Sequence, residues 1–200
     1  MSGERMEGVC IQTENITEEE TIKEVRYMFG LDNYPLNDMD DYLILLAFTP
    51  IDNDINNISD NTKIIWMEKY GIDNNESLEF YGDRVLYGVM SSVLFKIFGL
   101  GCTPHFLTQT MSSFTNNRIL TELMLNKGGC FLLRTNNYTI ENKKKKFHNK
   151  CADCLEALIG AIFIHLLNKG LDYNYYIAEW LLSNTNIMDY INDYILNIDG

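Results

Sequence analysis

Apolar and polar positions in this chain of 200 residues alternate mostly at the three-to-four-residue spacing of amphipathic helices. Ile22, Val25 and Met28 predict a helix over 21–30, and Leu43, Leu45, Leu46 and Phe48 another over 38–48. Pro35 and Pro50 punctuate them. The Asn/Asp-rich run from Asp52 to Asn61 reads as a loop. A long amphipathic pattern without proline then spans Asn75 to Leu100. Phe106, Leu107, Met111, Phe114, Ile119, Leu120 and Leu123 predict one helix over 106–127, stopped by Gly128 and Gly129. Residues 135–150 are polar and read as a loop, whereas Cys151 to Asn168 is a strongly apolar helix ending before Gly170. Two further helices are expected near 173–183 and 187–198. Useful strand-like alternation, hairpin signals and repeats are missing, so the expected class is all-α. Residues 1–20, polar and acidic, are expected to be a flexible leader; 21–186 form the folded domain and 187–200 a C-terminal helix.

Composition adds limits. With 46% hydrophobic residues, 3 Pro and 13 Gly, the chain is globular in character. Its formal net charge of -12 argues against a generic nucleic-acid binder, whose affinity comes from Lys and Arg displacing counterions. The cysteines (Cys10, Cys102, Cys130, Cys151, Cys154) are odd in number and irregularly spaced, and no secretory signal is evident. Free thiols in a reducing, intracellular and cytoplasmic setting are expected (host cytoplasm for a viral chain). No unbroken apolar run reaches the roughly 18–20 residues that span a bilayer, so a soluble protein without a membrane partner is expected.

The acids of two helices change this picture. At about 100° per residue, Glu79 and Asp83 lie roughly 300° and 340° round from Glu76, bordering the face of Leu78, Val85, Leu86, Val89 and Val93. Asp153 and Glu156 are similarly placed on the second helix, with Gly160 leaving space beside them. That helix is otherwise almost wholly apolar from Leu155 to Leu167. Partly buried carboxylates need neutralising, and Lys150 is the one base within a turn of Asp153. The pairs are solvated boundary residues, partners of distant Lys or Arg, or ligands for divalent cations, whose hard character suits Mg²⁺ or Mn²⁺ with oxygen donors. One or two such ions would suit phosphoryl transfer.

Asn75-Glu-Ser-Leu-Glu-Phe-Tyr-Gly-Asp-Arg-Val-Leu86 resembles the ribonuclease III signature N-E-x-L-E-F-L-G-D-x-V-L. Ala152-Asp-Cys-Leu-Glu-Ala-Leu-Ile-Gly-Ala-Ile162 is similar to that family's A-D-x-x-E-A-L-I-G-A-x. Leu46-Ala-Phe-Thr49 and the stretch from Leu107 through Asn117-Arg-Ile-Leu-Thr-Glu-Leu also resemble family segments, so the likeness covers roughly residues 40–183. It implies a ribonuclease III endonuclease domain over 21–186. Glu79, Asp83, Asp153 and Glu156 would then be catalytic and metal-binding, Glu76 would lie close to the RNA site, and Phe80 would pack into a partner subunit. The implied activity is Mg²⁺-dependent cleavage of double-stranded RNA by a homodimer, leaving 5′-phosphates, 3′-hydroxyls and short 3′ overhangs. Pro50 stands where the family usually has His, Tyr81 replaces Leu, and Arg84 occupies a variable position.

No separate double-stranded-RNA-binding domain is expected, so RNA affinity would be weak and salt-sensitive, or supplied by a separate RNA-binding protein. Lys143, Lys144, Lys145 and Lys146, with Lys150 and Arg118, form either a phosphate-contacting patch or a solvated loop. Duplex RNA is read through phosphates and 2′-hydroxyls, so little base specificity is expected. The alternative function is a non-catalytic scaffold of the same fold, which the complete acid set disfavours. Cys151-x-x-Cys154 lacks the second pair of a zinc site, and Asp38-Met-Asp-Asp41 reads as a helix start. The stripe of Ile187, Ile191, Tyr194, Ile195 and Ile198 is expected to pack on the domain.

Overall fold

A computed structural model describes residues 16–51, 58–134 and 144–198, among which the regular structure is helical and contains no strand. The helices are α1 (Glu18–Met28), α2 (Asp41–Ala47), α3 (Asp60–Tyr70), α4 (Glu76–Phe98), α5 (Pro104–Phe114), α6 (Asn117–Asn126), α7 (Lys144–Asn168), α8 (Tyr173–Asn184) and α9 (Ile187–Ile198). Short 3₁₀ turns follow α4 (Gly99–Gly101) and α6 (Gly129–Leu132).

α7 is the axis of the molecule. It lies along α4 over the most extensive contact in the fold and is flanked by α6, α2 and α8. Cys151, Ala152, Cys154, Leu155, Ala157, Leu158, Ile159, Ala161, Ile162 and Leu166 are all wholly buried, so this helix has little solvated face over its middle turns. Each large aliphatic side chain buried there contributes about 1.5–3 kcal/mol relative to exposure. Trp180 of α8 donates its indole N–H to the Phe29 carbonyl at 2.7 Å, tying the end of α1 to the same core.

Several boundaries differ from the periodicity reading. Thr17 caps α1 in a reciprocal box with Glu20, so helical order begins within the stretch read as leader. The Glu18 carboxylate then reaches across to the start of α3, accepting from Ser59 N–H at 2.5 Å and the Thr62 hydroxyl at 2.6 Å. α3 was not expected: Ile64, Ile65, Trp66 and Met67 are consecutive, and only Trp66 among them is buried. The single helix expected over 106–127 is two, because the Asn116 side chain accepts from Arg118 and Ile119 N–H and restarts the chain as α6. α7 begins at Lys144, inside the expected loop, since Lys144–Lys150 contains neither Gly nor Pro to stop it.

Two stretches, Glu76–Gly101 and His148–Asn168, are long and apolar enough to cross a membrane by length and composition. The expectation from unbroken apolar runs missed them. Both are core elements of the helical domain: most of the second is covered by other helices, and the first buries one face against it.

Candidate active site

The acids meet where α4 crosses α7, and two glycines decide how closely. A Cβ built on Gly82 would lie 1.7 Å from the Glu156 carbonyl oxygen, and one on Gly160 would lie 2.1 Å from the Leu78 carbonyl oxygen. Both obstacles are backbone, so neither position accepts a side chain without the helices separating. On α4, Glu79 and Asp83 bracket Gly82; on α7, Asp153 and Glu156 lie within two turns of Gly160.

Glu79, Asp153 and Glu156 each present a carboxylate oxygen within 4.8 Å of the others, the one such group among the described residues that could hold a metal ion. Glu156 is buried, and the other two are partly so. Asp83 stands beside this trio, with Oδ2 3.2 Å from Arg84 Nη1, and its charge acts on both Glu79 and Glu156. Burial, followed by the charges of Asp153, Glu76 and Asp83, pushes the Glu79 carboxyl up to about 7. Burial again leads at Glu156, reinforced by Asp83, Glu79 and Asp153, and raises it to about 8. Asp153 is pushed up to about 6 by burial, against the opposing pull of Lys150. Hence near neutral pH the cluster retains protons that a divalent cation would displace. The donor set is entirely hard oxygen, which fits Mg²⁺ or Mn²⁺ and not a soft metal.

The remaining sequence expectations divide. Glu76 is exposed at the first turn of α4, close enough for its charge to raise Glu79. Phe80 is 59% exposed and shares an open face of α4 with Arg84, Tyr87 and Phe95. Lys143 lies outside the described residues, and Lys144, Lys145 and Lys146 form the first turn of α7, their side chains likewise outside the description. Arg118 is exposed on α6 near Glu122. Lys150 is no part of an open basic patch: it is buried, and its charge acts on Asp153. Helical spacing carried that signal, because Lys150 lies one turn before Asp153 on the same stripe. Cys151 and Cys154 are buried free thiols and take no part in a metal-capable group among the described residues. Sequence reasoning passed over Asn75, which is buried at the head of α4.

A two-helix crossing that gathers acids in this way defines a class, and comparison with known proteins agrees. The family model described as the ribonuclease III domain matches residues 76–166, from the first acid of α4 almost to the end of α7. Residues 76–166 are thus similar to a ribonuclease III domain, and the curated relatives that match the chain carry the same family name. Ribonuclease 3 of Phocaeicola vulgatus is 33% identical over 127 residues, which cover 62% of this chain and 37% of that protein. Ribonuclease 3 of Pelagibacter ubique is 36% identical over 107 residues (51% of this chain, 44% of that protein). Ribonuclease 3 of Delftia acidovorans is 31% identical over 117 residues (52% and 51%). The chain thus spans about half, or less, of the length of these curated relatives.

Proposed function

We propose that this chain is an endoribonuclease that hydrolyses double-stranded RNA with a divalent cation, Mg²⁺ or Mn²⁺, held by Glu79, Asp83, Asp153 and Glu156. The observation that carries this reading is the convergence of Glu79, Asp153 and Glu156 at the glycine crossing of α4 and α7. A bound cation would supply charge stabilisation at the phosphate and lower the pKa of water. The chain's own residues fix the geometry: the acids orient the site, and Glu79 and Glu156, whose carboxyls burial raises, would have to be deprotonated to hold the cation. Water attacks phosphorus in line, the bond from phosphorus to the 3′ oxygen breaks, and the products carry a 5′-phosphate and a 3′-hydroxyl.

Phe80 is the proposed anchor of a homodimer, in which two sites cut opposite strands with a short 3′ offset. Glu76 lies at the edge of the RNA path, and Lys143, Lys144, Lys145 and Lys146 are proposed to reach flanking phosphates. With a net charge of -12, duplex affinity rests on such local cations or on a separate RNA-binding protein. The free thiols among the described cysteines suit an intracellular, reducing location.

The test is cleavage of a long RNA duplex at low salt with Mg²⁺, beside Asp83→Asn and Glu156→Gln. Short products with 3′ overhangs, reduced about 10²-fold or more in both variants and abolished by chelator, are expected. A folded native protein that cuts nothing, even with Mn²⁺, would replace this reading with the non-catalytic scaffold.

A further inference from the structure

Asn75 precedes the first residue of α4, where an Asn side chain ordinarily caps its own helix. Here it makes no capping bond; the Asn74 side chain accepts from Glu76 N–H instead. The Asn75 amide points inward. One of its bonds goes to the Ala47 carbonyl at the end of α2 (3.1 Å), the other to Cys154 Sγ on α7 (3.4 Å). An amide nitrogen has two hydrogens, so both donors are used between elements. Asn75 N–H donates to the Thr49 carbonyl at 3.0 Å, and Asn75 C=O accepts from Glu79 N–H at 2.9 Å. Cys154 directly follows Asp153 and precedes Glu156 by two residues. A single buried residue therefore joins the turn that carries Glu79 to the turn that carries the other two acids.

Backbone contact at the glycine crossing fixes how closely α4 and α7 approach. Asn75 and Gly82 lie seven residues apart, roughly 10 Å along the helix, with Glu79 between them. On the other side of Glu79 from Gly82, Asn75 adds a polar tie to this packed interface. We propose that Asn75 is a positioning residue for the acid cluster, its amide between Ala47 and Cys154 setting the distance of Glu79 from Asp153 and Glu156. The inference rests on the metal-binding reading above, and it concerns geometry, since Asn75 is not itself a ligand.

The experiment is Mn²⁺ titration by calorimetry, well below the melting temperature, of native protein, Asn75→Leu, Cys154→Ala and the double variant. Leu keeps the branched shape with somewhat more bulk and removes both donors. Asn75→Leu should retain native helical content but bind Mn²⁺ about tenfold or more weakly, the usual consequence of losing a supporting contact behind metal ligands. Cys154→Ala should weaken binding less, and the double variant should be no worse than Asn75→Leu, because one linkage is lost in both. The Mn²⁺ concentration for half-maximal cleavage should rise in step, with the rate at saturating metal returning toward native. An Asn75→Leu protein that melts earlier yet binds Mn²⁺ within about twofold of native overturns the proposal and leaves Asn75 a purely structural residue. If Asn75→Leu does not fold, Cys154→Ala decides by the same comparison. A native protein that binds no Mn²⁺ fails before any variant is compared, and that result removes the metal-binding reading together with this inference.

Discussion

Burial makes the carboxyls at the crossing hold their protons more tightly than free carboxyls do. Folding raises Glu79 to about 7, Glu156 to about 8 and Asp153 to about 6, chiefly through burial. A carboxyl with a higher pKa folded than unfolded binds its proton more tightly in the folded state, so acid favours folding. The corresponding stability is complete below the unfolded carboxyl range of about 4 and is lost as pH rises through the folded values. Metal-free protein should therefore melt several degrees lower at pH 8.5 than at pH 5.5 when scanned in chelator, and saturating Mg²⁺ should remove the difference. Melting that is flat across this window without metal would contradict the burial argument. Helical spacing alone left the acids as boundary residues or ligands and the motif resemblance singled them out; the structure brings Glu79, Asp153 and Glu156 together. Lys150 and Asn75 were harder to read: a lysine after a lysine run looks solvated, and an Asn before a helix looks like a cap. Only the packing of α2 and α7 shows otherwise.

The two long helices derive their arrangement from backbone contact. Gly82→Ala would drive a methyl into the Glu156 carbonyl, and Gly160→Ala one into the Leu78 carbonyl. Each should cost about 3 kcal/mol or more in metal-free denaturant unfolding, at the upper end of overpacking penalties, because no flexible side chain can yield. Gly88→Ala, where an added Cβ meets nothing within 4 Å, is the control and should be neutral or slightly stabilising. Equal unfolding midpoints for all three would show that the crossing is looser than described. Element boundaries were legible where one face is apolar, as in α4, α8 and α9. Legibility failed where tertiary packing chose among consecutive apolar residues, as in α3, and where a side-chain cap interrupted a continuous pattern, as at Asn116. The early start of α7 belongs with these, since lysines are good helix formers but their charge suggested a loop.

At the scale of the whole molecule, α4 keeps an apolar face open among the described residues. Phe80, Tyr87 and Phe95 are each more than 40% exposed on the helix that carries half of the acids. Phe80→Asp should convert a sedimenting dimer into a monomer without loss of helical content, and strand cuts should lose their paired offset. A native protein that sediments as a monomer at working concentration would remove the dimer from the proposed function. The all-α class was legible from periodicity, whereas the paths of α1 and α3 were not, because they are joined by a long-range grip of Glu18 on Ser59 and Thr62 that no local pattern signals. A population of variants kept only for heat resistance in a chelating medium would shed Glu156 and Glu79 early, exchanging them for neutral residues of similar shape. Acids set into so tight a backbone contact are poor choices for folding, and on the proposed function a bound cation would offset the cost of their burial.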